Sequence, residues 1–166
     1  MLLATLIALS LPQAVSTPRD EACPPTPIGL PRGMEGWGRP TAITAASTAS
    51  KPALLTPGVA VRATLLPTAG VTYAVRPAKP GAASSHGGVF AFDVARAGRY
   101  RVALGSAAWI DVLRGTTPVA SVTHGHGPAC STIRKMVDFD LKPGRHLLQI
   151  AGSEPAAVTL MVTPVG

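Results

Sequence analysis

Residues 88–105, Gly88-Val-Phe-Ala-Phe-Asp-Val-Ala-Arg-Ala-Gly-Arg-Tyr-Arg-Val-Ala-Leu-Gly105, decide the fold. Phe90, Phe92 and Val94 alternate with smaller or polar residues, and so do Tyr100, Val102 and Leu104. A period of two places each set on one face of a strand. Ala95-Arg-Ala-Gly98 between them has the composition of a tight hairpin turn, with Gly free to take positive φ. Arg99 and Arg101 fall on the opposite face of their strand, as expected of a solvated outside.

The same texture runs outward in both directions. Strands are expected at 59–66, 71–76, 88–95, 98–105, 109–114, 118–124, 133–141, 144–152 and 157–163. Val59, Val61, Ala63 and Leu65 share a face, as do Val137, Phe139 and Leu141, and then Val158, Leu160 and Val162. Lys142-Pro-Gly144 reads as a second tight hairpin turn. About nine strands with no helical spacer exclude a parallel α/β sheet. The expected fold is all-β, an antiparallel two-sheet β-sandwich of jelly-roll type, with a small closed barrel as the alternative.

Upstream the composition changes. Residues 17–57 are rich in Pro, Ala and Thr, and prolines this dense forbid long helices and inner strands. Trp37, between two glycines, is expected to pack back onto the domain, and 41–50 to be a short helix or coil. The domain division is then 1–16, 17–57 and 58–166. Residues 1–11 form an apolar stretch of signal-peptide length, and Ala14-Val15-Ser16 offers a small-x-small cleavage site. The stretch carries no Lys or Arg, so the signal is atypical or the start lies upstream. A buried strand or helix is the other reading. Export to the periplasm or the exterior is the expectation. No apolar run reaches the ~18 residues of a membrane span, so the chain is read as not membrane-spanning.

Composition narrows the partners. Fifteen Lys and Arg against eight Asp and Glu give +7. The basic residues are scattered and aromatics make up 4% of the chain, which argues against nucleic acid. Attraction to acidic surfaces or glycans is what this charge supports. Cys23 and Cys130 are the two cysteines, the number that allows one disulfide in an exported chain. Such a bond would tie the Pro-rich segment to a loop more than 100 residues away.

Two clusters carry the chemistry. In Thr123-His124-Gly125-His126-Gly127-Pro128-Ala129-Cys130, a His-x-His pair at a strand end points both imidazoles to one side, an arrangement that suits Fe, Cu or Zn. His86, His146 or Asp111 would supply a third ligand. Pro143-Gly144-Arg145-His146 resembles the second His motif of cupins, whose first motif contains His-x-His. Residues 127–134 hold no acid to complete such a set. A Gly-rich loop whose His residues bond locally or touch a partner is the plainer alternative. The second cluster is Ala108-Trp109-Ile110-Asp111 with Arg134-Lys135. An indole face beside charged groups suits a sugar ring; otherwise Trp109 is core and Asp111 pairs with Arg134 across strands. Asp138 and Asp140 alternate on one strand face, with Arg134 and Lys135 near enough in sequence to neutralise them. No Gly-x-Ser-x-Gly elbow, phosphate loop or dinucleotide fingerprint occurs.

From Gly87-Gly-Val-Phe-Ala-Phe through Gly98–Val112, His124-Gly-His-Gly-Pro-Ala-Cys and Ile133-Arg-Lys-Met-Val-Asp-Phe, the chain resembles a family of small exported proteins of alphaproteobacteria. The likeness covers roughly 58–163, and the Cys23-Pro start is similar too. Such proteins often carry the label homogentisate 1,2-dioxygenase. That label implies an iron-dependent oxygenase with His124 and His126 as ligands. Phe92-Asp-Val-Ala-Arg-Ala-Gly-Arg-Tyr-Arg-Val102 also resembles the pre-peptidase C-terminal type of accessory sandwich, which implies a non-catalytic module. The expected function is an exported binding or accessory module without a cofactor. Its ligand would be a small molecule, a glycan or an envelope protein, at an edge made of Trp109, Asp111, His124, His126, Arg134 and Lys135. The alternative is a metal-dependent enzyme on the His-Gly-His loop.

Overall fold

A computed structural model describes residues 22–166. The expected signal peptide, 1–16, lies outside them. Twelve strands form: β1 (Thr41–Thr44), β2 (Ala53–Leu55), β3 (Val61–Thr64), β4 (Leu66–Pro67), β5 (His86–Val94), β6 (Gly98–Leu104), β7 (Trp109–Arg114), β8 (Thr117–Pro118), β9 (Ser121–Gly125), β10 (Lys135–Leu141), β11 (Gly144–Ser153) and β12 (Ala157–Pro164). They make two packed sheets. The first has the order β1-β3-β12-β6-β10-β9, and the second β2-β5-β11-β7-β8, with β4 on the end of β5.

The expected sandwich is therefore present, with twelve strands instead of nine and with mixed sheets. β1 pairs parallel with β3, and β2 parallel with β5. The chain runs from β1 in one sheet to β2 in the other and back to β3. Such a crossover lets β1 and β3 run in the same direction, which a hairpin cannot do. Residues 41–44, expected as helix or coil, are the edge strand β1.

The two expected hairpin turns are corners between sheets. β5 lies in the second sheet and β6 in the first, and β10 and β11 are divided in the same way. Alternation tells which face of a strand is buried but not which strand lies beside it. Residues 71–76 also alternate yet form no strand. Their polar groups are satisfied by a side chain instead. Gln149, buried on the outer face of the second sheet, accepts from the Ala74 and Val75 amides at 2.7 and 3.2 Å and donates to the Val75 carbonyl at 2.9 Å. The Tyr73 hydroxyl donates to the Ile150 carbonyl at 3.0 Å and lies directly over Gly87, where a Cβ would collide with it.

Between the sheets lies one apolar layer. All the expected inward sets enter it, namely Phe90, Phe92 and Val94, then Tyr100, Val102 and Leu104, and those of β3, β10 and β12, but Val59 stays exposed. A second, smaller layer lies outside the first sheet. There Met34 and Trp37 of the Pro-rich segment bury Ala60, Ala103, Ile133 and Met161. Trp37 thus anchors that segment as expected, and its indole N–H donates to the Thr132 hydroxyl at 2.9 Å. The segment is also held by the Cys23–Cys130 disulfide, with the Cα atoms 5.2 Å apart, and by the Ile28 amide on the Cys130 carbonyl.

Asp138 and Asp140 are neutralised by Arg101 and Arg99, not by Arg134 and Lys135. The β6–β10 register sets Arg101 directly opposite Asp138 and Arg99 opposite Asp140. Facing residues on adjacent strands are the pairs that interact. Arg101 is mostly buried as well, against the expected solvated face, and grips Asp138 with two bonds of 2.7 and 2.8 Å. Arg145 and Asp93 form the same facing pair on the second sheet, in the open.

Two outcomes are expected. Reduction, or Cys23→Ala with Cys130→Ala, lowers the melting temperature by at least about 5 °C in thermal circular dichroism, since a long-loop disulfide contributes about 2–4 kcal/mol. Asp138→Ala costs about 1–3 kcal/mol in urea unfolding because it strands the Arg101 guanidinium, and Arg101→Met added to it restores most of that loss.

Candidate functional site

At one end of the sandwich the 105–108 connection, the starts of β7 and β10, and the ends of β9 and β11 come together. Trp109 opens β7 on the outer face of the second sheet, directly opposite Ala151, whose small side chain leaves room beside the indole. Asp111, two residues on, shares that face, and the Trp109 indole N–H donates to its carboxylate at 2.9 Å. The expected Asp111–Arg134 pair does not form. Arg134 is exposed, and the neighbour on its own strand already satisfies Asp111.

Lys135 begins β10 in phase with Val137 and Phe139, so its side chain leans over the end of the core. Its ammonium donates to the Ala108 carbonyl at 2.7 Å, joining the first sheet to the connection that leads into β7 of the second. It also lies 5.6 Å from the Trp109 ring centre. Lys79, from the 71–85 loop, approaches the same ring at 5.5 Å. Two ammonium groups within reach of one indole are each attracted by its electron-rich face. Burial pushes the Lys135 amine below its ordinary pKa, and the Lys79 charge pushes it the same way. Burial pushes Asp111 up, with the indole N–H working against it.

Two shallow depressions open here. One, of about 290 Å³, is walled by Lys79, Trp109, Lys135 and Gly152. The other, of about 240 Å³, is walled by His124, His126, Arg134 and Lys135. They share Ala107 and Lys135 and so adjoin as one groove. Of the expected edge residues, Trp109, His124, His126, Arg134 and Lys135 line this groove, whereas Asp111 lies beside it, bonded edge-on to the indole N–H. The groove is lined by three cationic side chains, those of Lys79, Arg134 and Lys135.

His124 and His126 line the same depression, as their spacing requires. His126 bonds through Nδ1 to the Arg134 carbonyl at 2.8 Å, the local anchoring of the plainer alternative. Gly127 lets the loop fold tightly, since a Cβ there would press into Ile133 and the Ser131 hydroxyl. None of the three expected third ligands is brought to the pair. His86 bonds to the Glu154 carbonyl, Asp111 to Trp109, and His146 lies at the opposite end of the sandwich. Among the described residues no three His, Cys, Asp or Glu side chains gather to hold a metal. The strand phase explains His146, which alternates with Leu148 and Ile150 and so points into the core.

Lys79 escaped the sequence reading. It stands alone in Pro77-Ala-Lys-Pro80, with no periodicity to place it. Only the disposition of the 71–85 loop over the second sheet brings it to Trp109. In comparisons with known proteins, the chain matches no family model and no curated sequence.

The Asp111 shift sets a pH dependence. A carboxyl whose folded pKa is raised weakens the fold above that pKa and costs nothing below its unfolded value. Asp111→Asn, which keeps an acceptor for Trp109, is expected to be more stable than the parent at neutral pH. That advantage should shrink to nothing as acidification passes from the raised pKa through the ordinary carboxylate range. Paired urea titrations at several pH values check this.

Proposed function

We propose that this protein is an exported, non-catalytic β-sandwich binding module whose groove takes an acidic glycan or cell-envelope polymer. The carrying observation is Trp109 flanked by the Lys79 and Lys135 ammonium groups at 5.5 and 5.6 Å. The ammonium groups gathered over the indole take a carboxylate or phosphate on a sugar, and the part of the ring that they leave uncovered meets the C–H side of that sugar. Arg134, His124 and His126 extend the same recognition along the chain of a polymer. The disulfide supports a location in an oxidising compartment, the periplasm or the exterior. No helix among the described residues is long and apolar enough to cross a membrane. We place the chain, as part of this proposal, with the small exported alphaproteobacterial proteins that its His124–Cys130 block resembles.

The direct test is a glycan array followed by titration calorimetry. Acidic polysaccharides are expected to bind and neutral ones of the same backbone to bind far less, with affinity falling as salt is added. Trp109→Ala and Lys135→Ala should each weaken binding about tenfold, or about 1.4 kcal/mol. Equal retention of neutral and acidic polymers, or binding untouched by both variants, overturns the reading. Elemental analysis separates it from an oxygenase built on His124 and His126, since the module should carry no stoichiometric Fe, Cu or Zn.

A further inference from the structure

At the end of the sandwich opposite Trp109, an open-mouthed cavity of about 400 Å³ is walled by Arg114, Thr117, Pro118, Asp140, Lys142 and His146, with Val119 beside them. His146 is its unusual member. Only 1% of its surface is exposed, and its ring stacks on Phe92 with centres 5.8 Å apart. A core strand position with this much burial ordinarily takes an aliphatic residue. Nδ1 lies 3.1 Å from the Gly144 carbonyl, an acceptor only, so Nδ1 carries the proton and donates it. Nε2 has no hydrogen-bond partner among the described residues. Among the described residues no polar side-chain atom is both fully buried and unpartnered, so Nε2 reaches the cavity.

The charges around it are unbalanced. Arg114 ends β7 and Lys142 sits in the β10–β11 corner, and neither has an acidic partner among the described residues. Asp140 is the single acid of the wall, and Arg99 holds it with bonds of 3.0 and 3.3 Å. Asp93 and Arg145 neutralise each other on the outer face of β5 and β11. The β8 side presents Thr117 and Pro118, and the β5 side the Phe92 ring, none of which titrates.

We propose that this cavity is a binding site for a small anion bearing a carboxylate or phosphate group, held between Arg114, Lys142 and the Nε2 of His146. Pro118 and Val119 supply a short apolar wall for the rest of the molecule. Burial holds the imidazole below its ordinary pKa, the Gly144 bond opposes this, and the Arg114 charge adds to it. An anion in the cavity reverses the balance by favouring the imidazolium, which then donates from Nε2. Binding therefore strengthens as the pH falls through the His146 pKa. The site is separate from the Trp109 groove and does not rest on the function proposed for it.

The experiment follows the His146 imidazole C2–H by proton NMR on the whole protein, its resonance assigned through His146→Gln. Sodium acetate and sodium phosphate are titrated in turn at constant ionic strength against chloride. The expected result is a saturable shift and a raised His146 pKa with one or both anions. Saturation by acetate assigns a carboxylate ligand, and saturation by phosphate alone assigns a phosphoryl group. Arg114→Gln, an exposed position that leaves the core intact, should weaken the binding about tenfold, the size of one charge-assisted contact. Trp109→Ala should leave it unchanged. A response no different from chloride, or one equally strong in Arg114→Gln, overturns the proposal.

Discussion

The first sheet has two apolar faces, and that constraint organises the molecule. One face packs on the second sheet in the usual way. The other presents Ala103, Met161 and Met136, which water would otherwise wet. The Pro-rich segment exists in the fold to cover them. Before β1 its prolines keep it out of the sheets, so residues 24–40 cross as irregular chain with Met34 and Trp37 pressed inward, and the segment joins the sheets only at their edges, as β1 and β2. Irregular chain makes few hydrogen bonds of its own. It is fixed instead at particular points: the Cys23–Cys130 bond, the Ile28 amide, the Trp37 indole, and the Thr163 hydroxyl on the Gly33 carbonyl.

The same fastening reaches the candidate site. Cys130 closes the loop that begins with His124 and His126, and Ile133, which that loop carries into β10, packs against Trp37. The imidazoles thus stand on a loop tied at both its covalent and its apolar end. The groove beside them inherits this rigidity from the first sheet, while Trp109 and Lys79 come from the second. Lys135, bonded to the Ala108 carbonyl, is the strut between the two halves.

Much of this could be read in the sequence wherever the information was local. Period-two alternation marks the inner faces of β3, β5, β6, β10 and β12 because burial acts on each strand separately. The pairing of two lone cysteines followed from their number. What stayed hidden was long-range. The 95–98 turn looks the same whether it joins neighbours in one sheet or turns between sheets, so its composition cannot tell a corner from a hairpin. Residues 71–76 alternate like a strand, yet a single glutamine on β11 takes the place of the neighbouring strand. Arg101 and Asp138 are facing partners only once the register is known. At the site, Trp109, Asp111 and the two histidines were visible as a motif, whereas Lys79 and the His146 cavity depend on how distant loops meet.

The strand order also fixes when the protein can acquire its shape. β12, the last strand of the fold, lies between β3 and β6 in the middle of the first sheet. Until residues 157–164 have been synthesised, that sheet is two fragments with bare inner edges. The tight corners offer no early remedy, because β5 and β6, and likewise β10 and β11, belong to different sheets and cannot zip together as local pairs. Assembly must therefore wait for contacts between residues far apart in the chain, which makes it slow and cooperative.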